Sequence, residues 1–274
     1  MYERWLKIID NGKEELINES APFFFLDANK DFPNANENDV TIAGVDGVLP
    51  GSLSYAPFNL ILRFGLDAYD LEEFWLYEHM LRSKFSRRKP FTIIHSQLPG
   101  VKFDISKCDI SKNIKDGSSC EFEVTCKVYK GYYESVYETD TEFKMSEGWM
   151  LESGIPLDFT PKYKHKSKSF VIWNGSTDTI DPRMHHKLKI YIQLTASKGF
   201  ELINHTTGDV FKYKKSIEKD ELVLSSVYAY RNGERCGIDT NRGVITLAPG
   251  KNDFEIKGNV SIEKVQFKFP FIYR

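Results

Sequence analysis

The sequence predicts a mainly β protein built from two modules. After residue 170 the chain consists of short apolar runs separated by turn residues, at the roughly 8–12-residue spacing typical of β-sandwiches. Before residue 135 similar runs surround one helical segment. The charge also changes sign: of 37 basic and 39 acidic residues, 20 and 12 lie in 161–274, which leaves 17 and 27 in 1–160. With 274 residues, each module is long enough to hold its own core.

Turn signals mark the first strands of the chain. Asn11-Gly12 lies between two apolar runs, and this dipeptide favours a tight hairpin because both of its residues tolerate positive φ. Three glycines, Gly44, Gly47 and Gly51, interrupt the next strand-like region. A strong strand is predicted at 59–64.

One segment, "DLEEFWLYEHMLRSKFS", has the pattern of a helix. Asp70 is the predicted N-cap, and Glu73 completes a capping box three residues later. Apolar side chains recur at spacings of three and four and predict the buried face, namely Phe74, Tyr77, Leu81 and Phe85. We expect Pro90 to end the helix. The runs "PFTIIHS", "VKFDIS" and "CEFEVTCKVYKGYY" that follow predict strands.

The segment 135–169 has no steady period and ends in alternating lysines, so we interpret it as a connector. The predicted domains are therefore an N-terminal module at 1–134, the connector at 135–169 and a C-terminal module at 170–274. In the last of these, "INHTTGDVFKY" is ambiguous. Asn204 fits the N-glycosylation acceptor pattern, whereas Thr207-Gly208-Asp209 predicts a hairpin turn.

The sequence offers few residues for chemistry. The four cysteines form no CxxC pair and no histidine lies at zinc-ligand spacing, so no metal site is expected. The common nucleotide-binding, protease and hydrolase motifs are missing, which predicts neither catalytic nor cofactor-binding residues. The N-terminus lacks the apolar run of a signal peptide, and no stretch approaches ~20 apolar residues, so we expect no membrane partner. Trp173 is a candidate for stacking on a sugar, although a core tryptophan is the more frequent case.

Seven segments, taken together and in order, resemble the tail family of siphophages, the phages with long, non-contractile tails. They are "GVDGVLPGSLSYAPFNLILRF", "DLEEFWLYEHMLRSKF", "PFTIIHSQLPGVKFDI", "FVIWNGSTDTIDPRMHHKLKIYI", "FELINHTTGDVFKY", "DELVLSSVYAYRNGERCGID" and "ITLAPGKNDFEIKG". The resemblance is to the distal tail proteins of that family. It implies a split β-barrel-like N-terminal domain with one α-helix and a galectin-like C-terminal β-sandwich.

The resemblance also implies a structural role and not an enzymatic one. It predicts a hexameric ring, or two rings back to back, that links the tail tube to the baseplate at the distal end of the virion tail. The implied partners are the tail tube protein, the tail-associated lysin or hub, the tape-measure protein and receptor-binding proteins, assembled in the host cytoplasm. The resemblance implies that Asn204 carries no glycan and belongs to a hairpin.

Two hypotheses follow from these predictions. If the N-terminal modules form a ring, DNA passes through its bore without sequence-specific contacts, and acidic walls would keep phosphates from binding. Candidate wall residues are Glu37, Asp39 and Asp46, which flank the glycine-rich region. The alternative is that the acidic residues merely keep the first module soluble. The alternative function is a lectin-like module that binds carbohydrate at the host surface, and Trp173 would be its stacking residue.

Overall fold

A computed structural model describes residues 3–18, 22–114, 119–144, 149, 154–156 and 158–274. The chain divides into two compact units. The first comprises Met1–Glu134 and Arg274, and the second Ser135–Tyr273.

The first unit contains one α-helix, α1 (Leu71–Phe85), within its described residues. Its strands are β1 (Leu6–Asp10), β2 (Lys13–Ile17), β3 (Phe23–Lys30), β4 (Ala35–Glu37), β5 (Leu53–Tyr55), β6 (Phe58–Asp67), β7 (Phe91–His95), β8 (Val101–Ile114) and β9 (Ser119–Val128). Seven of them form the antiparallel path β2-β1-β7-β8-β9-β6-β3 within a nine-stranded sheet, and β4 pairs with β5 separately. The predicted hairpin is confirmed, since Asn11 and Gly12 both have positive φ between β1 and β2.

The core of the first unit is aromatic. Phe64 of β6 packs 5.8 Å from Phe25 of β3 and 5.5 Å from Phe85 of the helix, measured between ring centroids. The predicted alternation along β9 is present, with Cys120, Phe122, Val124, Cys126 and Val128 all buried. The helix therefore lies on the sheet through side chains that the sequence marks as apolar.

The helix confirms most of the predicted pattern and corrects two points. Asp70 is the N-cap, and its carboxylate accepts a hydrogen bond from the Glu73 amide at 2.8 Å. The buried residues are Phe74, Glu78, Leu81 and Phe85. Tyr77, predicted to be buried, is only half-buried, and its neighbour Glu78 is buried instead. The helix ends at Phe85 with Ser86 as C-cap, so Pro90 is not the residue that ends it.

Strand β10 (Tyr133–Glu138) contains the point at which the first unit gives way to the second. The later strands are β11 (Lys164–His165), β12 (Ser169–Asn174), β13 (Lys189–Ala196), β14 (Phe200–Asn204), β15 (Asp209–Tyr213), β16 (Ile217–Ser225), β17 (Tyr228–Arg231), β18 (Glu234–Arg235), β19 (Gly250–Lys257), β20 (Val260–Lys268) and β21 (Pro270–Tyr273). Two short 3-10 helices, Pro182–Met184 and Gly237–Asp239, interrupt them.

The second unit is a β-sandwich. One sheet has the order β11-β20-β13-β16-β17-β18 and the other β12-β19-β14-β15, with antiparallel neighbours. The two sheets meet through aromatic rings, because Phe267 of β20 lies 4.8 Å from Phe254 of β19 and 6.1 Å from Phe170 of β12. The predicted fold class, mainly β with one α-helix in the first part and a sandwich in the second, is confirmed.

The described residues of the predicted connector 135–169 lie within the second unit. Trp149 is buried there, with its ring 4.6 Å from that of Phe143 and 5.5 Å from that of Phe271. The sequence of this segment has no steady apolar period, so the burial of Trp149 was not predicted. The three-part division of the chain into independent domains stays a prediction.

The hairpin at "INHTTGDVFKY" is present. Asn204 pairs with Asp209 across β14 and β15, and Gly208 has φ +78° in the connecting turn. Asn204 itself is 0% exposed, and its amide nitrogen donates to the Thr246 carbonyl at 2.8 Å and to Asn252 Oδ1 at 3.1 Å. In the folded protein this amide is used inside the sandwich and is not available to a glycan.

Candidate interaction surface

The most exposed part of the first unit is a long hairpin at residues 34–56, which we call the arm. Its base is the β4–β5 pair, closed by a hydrogen bond from the Ala56 amide to the Asn34 carbonyl at 2.8 Å. Further out, Val40 and Leu49 exchange two backbone hydrogen bonds of 3.0 and 2.9 Å. The arm is therefore an ordered two-stranded ribbon along much of its length.

The glycines that interrupt this region in the sequence shape the arm. Gly44 and Gly47, at its tip, both have φ +82°, which a residue with a Cβ adopts only under strain. At Gly51 a Cβ would lie 1.9 Å from the Asn38 carbonyl oxygen, so only glycine allows the two strands to approach there. The Gly51 amide donates to Asp39 Oδ1 at 2.9 Å and fixes this crossing point.

Every residue from 34 to 55 is exposed, although many of them are apolar. The exposed apolar side chains of the arm are Val40, Ile42, Val45, Val48, Leu49, Leu53 and Tyr55. Val45, at the tip, is 62% exposed. A row of apolar side chains on a projecting ribbon is typical of a surface that another protein covers.

A second apolar patch lies at the start of α1. Tyr69, Leu71, Trp75 and Leu76 are exposed, and Tyr69 is 93% exposed. The Lys112 ammonium lies 4.8 Å from the centre of the Trp75 ring, a cation–π contact that orients the indole. The first unit thus presents two apolar surfaces, one on the arm and one on the helix.

The three candidate channel residues all lie on the arm. Glu37 is in β4, Asp39 follows it and Asp46 is at the tip, and all three are exposed. Asp39 already accepts the hydrogen bond from Gly51, so it has a local structural role. The structure brings these carboxylates onto one ribbon, and their place along a channel stays a prediction.

Trp173, the candidate sugar-stacking residue, is half-buried in β12. Its indole nitrogen donates to the Gly154 carbonyl at 2.7 Å, and the Phe159 ring lies edge-on to it at 5.5 Å. Its backbone carbonyl accepts a hydrogen bond from the Tyr163 hydroxyl at 2.8 Å. These contacts account for the residue as a packing element of the second unit.

Comparison with known proteins places the first unit in a family. Residues 10–126 match the model of the phage tail protein RIFT-related domain. The first unit therefore contains a domain of this family. The matched residues include the arm, the helix and most of the sheet, and they confirm the resemblance to siphophage tail proteins.

The fold of the chain is similar to that of the Dit protein (gp 19.1) of phage SPP1, described as a paradigm of the hub adsorption apparatus of phages that infect Gram-positive bacteria. The TM-score is 0.66 at 11% identity, over 97% of this chain and 99% of that one. A chain of the phage P2 baseplate in its activated conformation with Ca matches at TM-score 0.45 and 11% identity, over 98% of both chains. No match was found among curated protein sequences.

The described part of the chain shows no cluster of three or more metal-ligating side chains. No helix among the described residues is long and apolar enough to cross a membrane. The exposure of the apolar arm was not predicted from the sequence. Valines and leucines in a strand-like run are as typical of a buried strand as of an exposed apolar ribbon. The density of glycines at 44, 47 and 51 was the one available signal of an unusual hairpin.

Proposed function

We propose that the chain is the distal tail protein of a siphophage. Copies of its first unit assemble into a hexameric ring that connects the tail tube to the baseplate at the tail tip. The protein is then a structural part of the virion. Its partners are further copies of itself, the tail tube protein, the tail-associated lysin or hub and the tape-measure protein.

The exposed apolar arm is the observation that carries this proposal. A monomer in water gains nothing from an ordered ribbon whose valines and leucines face solvent, since burying each of them is worth about 1.5–3 kcal/mol. Those side chains are buried only when another molecule covers the arm. In a closed ring every copy offers one arm and receives one, so no apolar surface is left over.

The fold supports the same proposal. The SPP1 protein that resembles this chain over 97% of its length is described as a hub adsorption apparatus. A hub must hold several different proteins at once, and a two-unit chain allows one unit to form the ring while the other faces outward. Receptor-binding proteins are candidates for docking on the outer unit.

The bore of such a ring must let DNA pass. Each phosphate contact made by a basic side chain releases condensed counterions and strengthens binding, and six-fold symmetry multiplies any such contact. Acidic side chains on the arm, Glu37, Asp39 and Asp46, are suited to a wall that DNA does not bind. Carbohydrate binding is not favoured, because Trp173 is already engaged by Gly154 and Phe159.

The size of the purified protein in solution tests the ring. We expect light scattering to give a mass of about six copies, alone or with the tail tube protein, and electron micrographs to show rings. The double substitution Val45→Asp/Val48→Asp at the arm tip should leave a folded monomer, because charged side chains there oppose burial.

A matched control is Met184→Asp/Ile238→Asp, which changes two exposed apolar residues of the second unit. We expect this variant to assemble as the unmodified protein does. A monomer at every concentration, with and without the tail tube protein, would refute the ring. Rings formed by the arm-tip variant would keep the ring and reject the arm as its contact.

A further inference from the structure

The second unit contains a cleft of about 230 Å³ that is lined by residues of both sheets. It lies where β17 of the larger sheet and β15 of the smaller sheet are spanned by the segment 236–247. Its deep wall consists of buried apolar residues: Leu188, Ile190, Phe211, Leu224, Ala229 and Ile245. For comparison, a dry apolar cavity of about 150 Å³ accepts benzene, so this cleft has room for one aromatic side chain.

The spanning segment is fixed on both sides. The Cys236 amide donates to the Ala229 carbonyl of β17 at 2.9 Å. On the other side Asn241 Nδ2 donates to the Val210 carbonyl of β15 at 2.8 Å, and the Thr246 amide donates to Asp209 Oδ2 at 2.9 Å. The cleft is therefore preformed, and a ligand would not have to order the loop.

The rim of the cleft is positively charged. Arg235 and Arg242 line it, and both are exposed. The Arg235 guanidinium lies 4.4 Å from the centre of the Tyr228 ring, which holds it at the mouth. Neither guanidinium forms an ion pair within the part of the chain that the structure describes. A planar guanidinium binds carboxylates well, because it can donate two parallel hydrogen bonds.

An apolar wall below a cationic rim selects a particular chemistry. A sugar needs several convergent polar groups, but few of the lining side chains are polar, and the hydroxyl of one of them, Thr240, already donates to the Gly237 carbonyl. A neutral apolar group would occupy the cleft but would leave the two guanidiniums at the rim without an anionic partner. A group with an apolar body and an adjacent carboxylate satisfies both parts of the cleft.

We propose that this cleft is a docking site for a partner protein segment in which an aromatic or large aliphatic side chain lies beside a carboxylate, as at an apolar C-terminal residue. The volume limits the inserted group to one side chain. The charge complementarity is supplied by Arg235 and Arg242 at the rim. This inference does not depend on ring formation, since it concerns a single copy of the second unit.

N-acetylphenylalanine is a suitable probe, because it carries both the aromatic ring and the carboxylate. Titration into the full-length protein, followed by methyl NMR, should shift the signals of Ile190, Leu224 and Ile245. N-acetylphenylalaninamide, which lacks the charge, should bind roughly tenfold more weakly. N-acetylglycine, which lacks the ring, should give no shift at these methyl groups.

The variants Arg235→Gln and Arg242→Gln should each weaken binding of the acid several-fold and leave binding of the amide unchanged. The matched control is Arg88→Gln, which removes an exposed arginine of the first unit. Equal affinities for acid and amide would overturn the role of the arginines. Absence of shifts at the three methyl groups at millimolar probe would overturn the site. A small molecule extracted from the purified protein and displaced by the probe would overturn the assignment to a protein segment.

Discussion

His95 is a titratable side chain inside an apolar core. It is 2% exposed in β7, and neither ring nitrogen has a hydrogen-bond partner among the residues that the structure describes. Its ring stacks on Phe103 at 5.6 Å and lies 6.2 Å from Phe25. Burial, with a smaller effect from Lys30, lowers the pKa of His95 from 6.5 to about 4. The imidazole is therefore neutral in the folded first unit.

We expect this histidine to make the first unit sensitive to acid. Below pH 6.5 the unfolded chain takes up a proton at His95 and the folded protein does not, until the pH reaches about 4. Its contribution to stability is thus complete above pH 6.5 and is lost as the pH falls towards 4. At pH 4.5 the loss is about 2–3 kcal/mol.

Chemical denaturation at pH 7 and pH 4.5 tests this expectation. Between pH 7 and pH 4.5 the free energy of unfolding of His95→Leu should fall by about 2–3 kcal/mol less than that of the unmodified protein. His79→Leu, at an exposed position on the helix, is the control and should change nothing. If both variants respond to acid as the unmodified protein does, His95 is not the group that titrates.

Asn204 is the second residue with a clear energetic role. Its side chain bonds to Thr246 and Asn252, and its Oδ1 accepts from the Thr206 amide at 3.1 Å. We expect Asn204→Ala to lower the free energy of unfolding by about 2–3 kcal/mol, because buried partners lose their hydrogen bonds. Thermal unfolding measures this. The exposed Asn259→Ala should shift stability by less than about 0.5 kcal/mol, and an equal effect of both would refute the buried network.

The helix contains both features that the sequence predicts and features that it does not. Asp70 and Glu73 are recognisable because capping depends on residues three apart in the chain. Glu78 is not, because its burial depends on distant partners. Burial raises the pKa of Glu78, but hydrogen bonds from Lys112 and Arg82 hold this pKa below its usual range. Lys112 belongs to β8, and no local pattern shows that it will meet the helix.

The same limit applies to β strands. Asn11-Gly12 and the alternation of β9 were predictable, since both are local. The exposure of Val45 and Val48 was not, because a strand-like run does not reveal whether anything packs against it. The cleft in the second unit was also out of reach, since Leu188 and Ile245 meet only in the folded sandwich.

The helix cap yields a prediction at this scale. Asp70→Ala should destabilise the first unit by about 1 kcal/mol, because the Glu73 amide loses its acceptor. Glu72→Ala, in the same first turn, removes a charge but no capping bond and should cost only a few tenths of a kcal/mol. Circular dichroism during thermal unfolding compares the two. Equal losses would mean that charge near the helix end matters and the cap does not.

For the whole molecule, the opposite charges of the two halves suggest a test of the proposed channel. The assembled protein should not bind duplex DNA at low salt in fluorescence anisotropy. Glu37→Lys/Asp46→Lys should create binding that weakens steeply as salt is added, because basic side chains at a bore release counterions from DNA. Asp39 is left unchanged, since it supports the arm.

The control for this experiment is Glu218→Lys/Glu234→Lys, which reverses two exposed charges on the second unit. It makes the same change in net charge, and we expect little gain in DNA binding. If both variants gain affinity equally, the effect is one of overall charge and the arm does not line the channel.

The order of strands in the second unit has a consequence for synthesis on the ribosome. β20 lies between β11 and β13 in one sheet, and β19 lies between β12 and β14 in the other. Both come from residues 250–268, near the end of the chain. The path β2-β1-β7-β8-β9-β6-β3, by contrast, is complete by residue 128. Strands β1–β3 and β6–β9 can thus pair early, whereas both sheets of the second unit keep unpaired strand edges until residues 250–268 have left the ribosome.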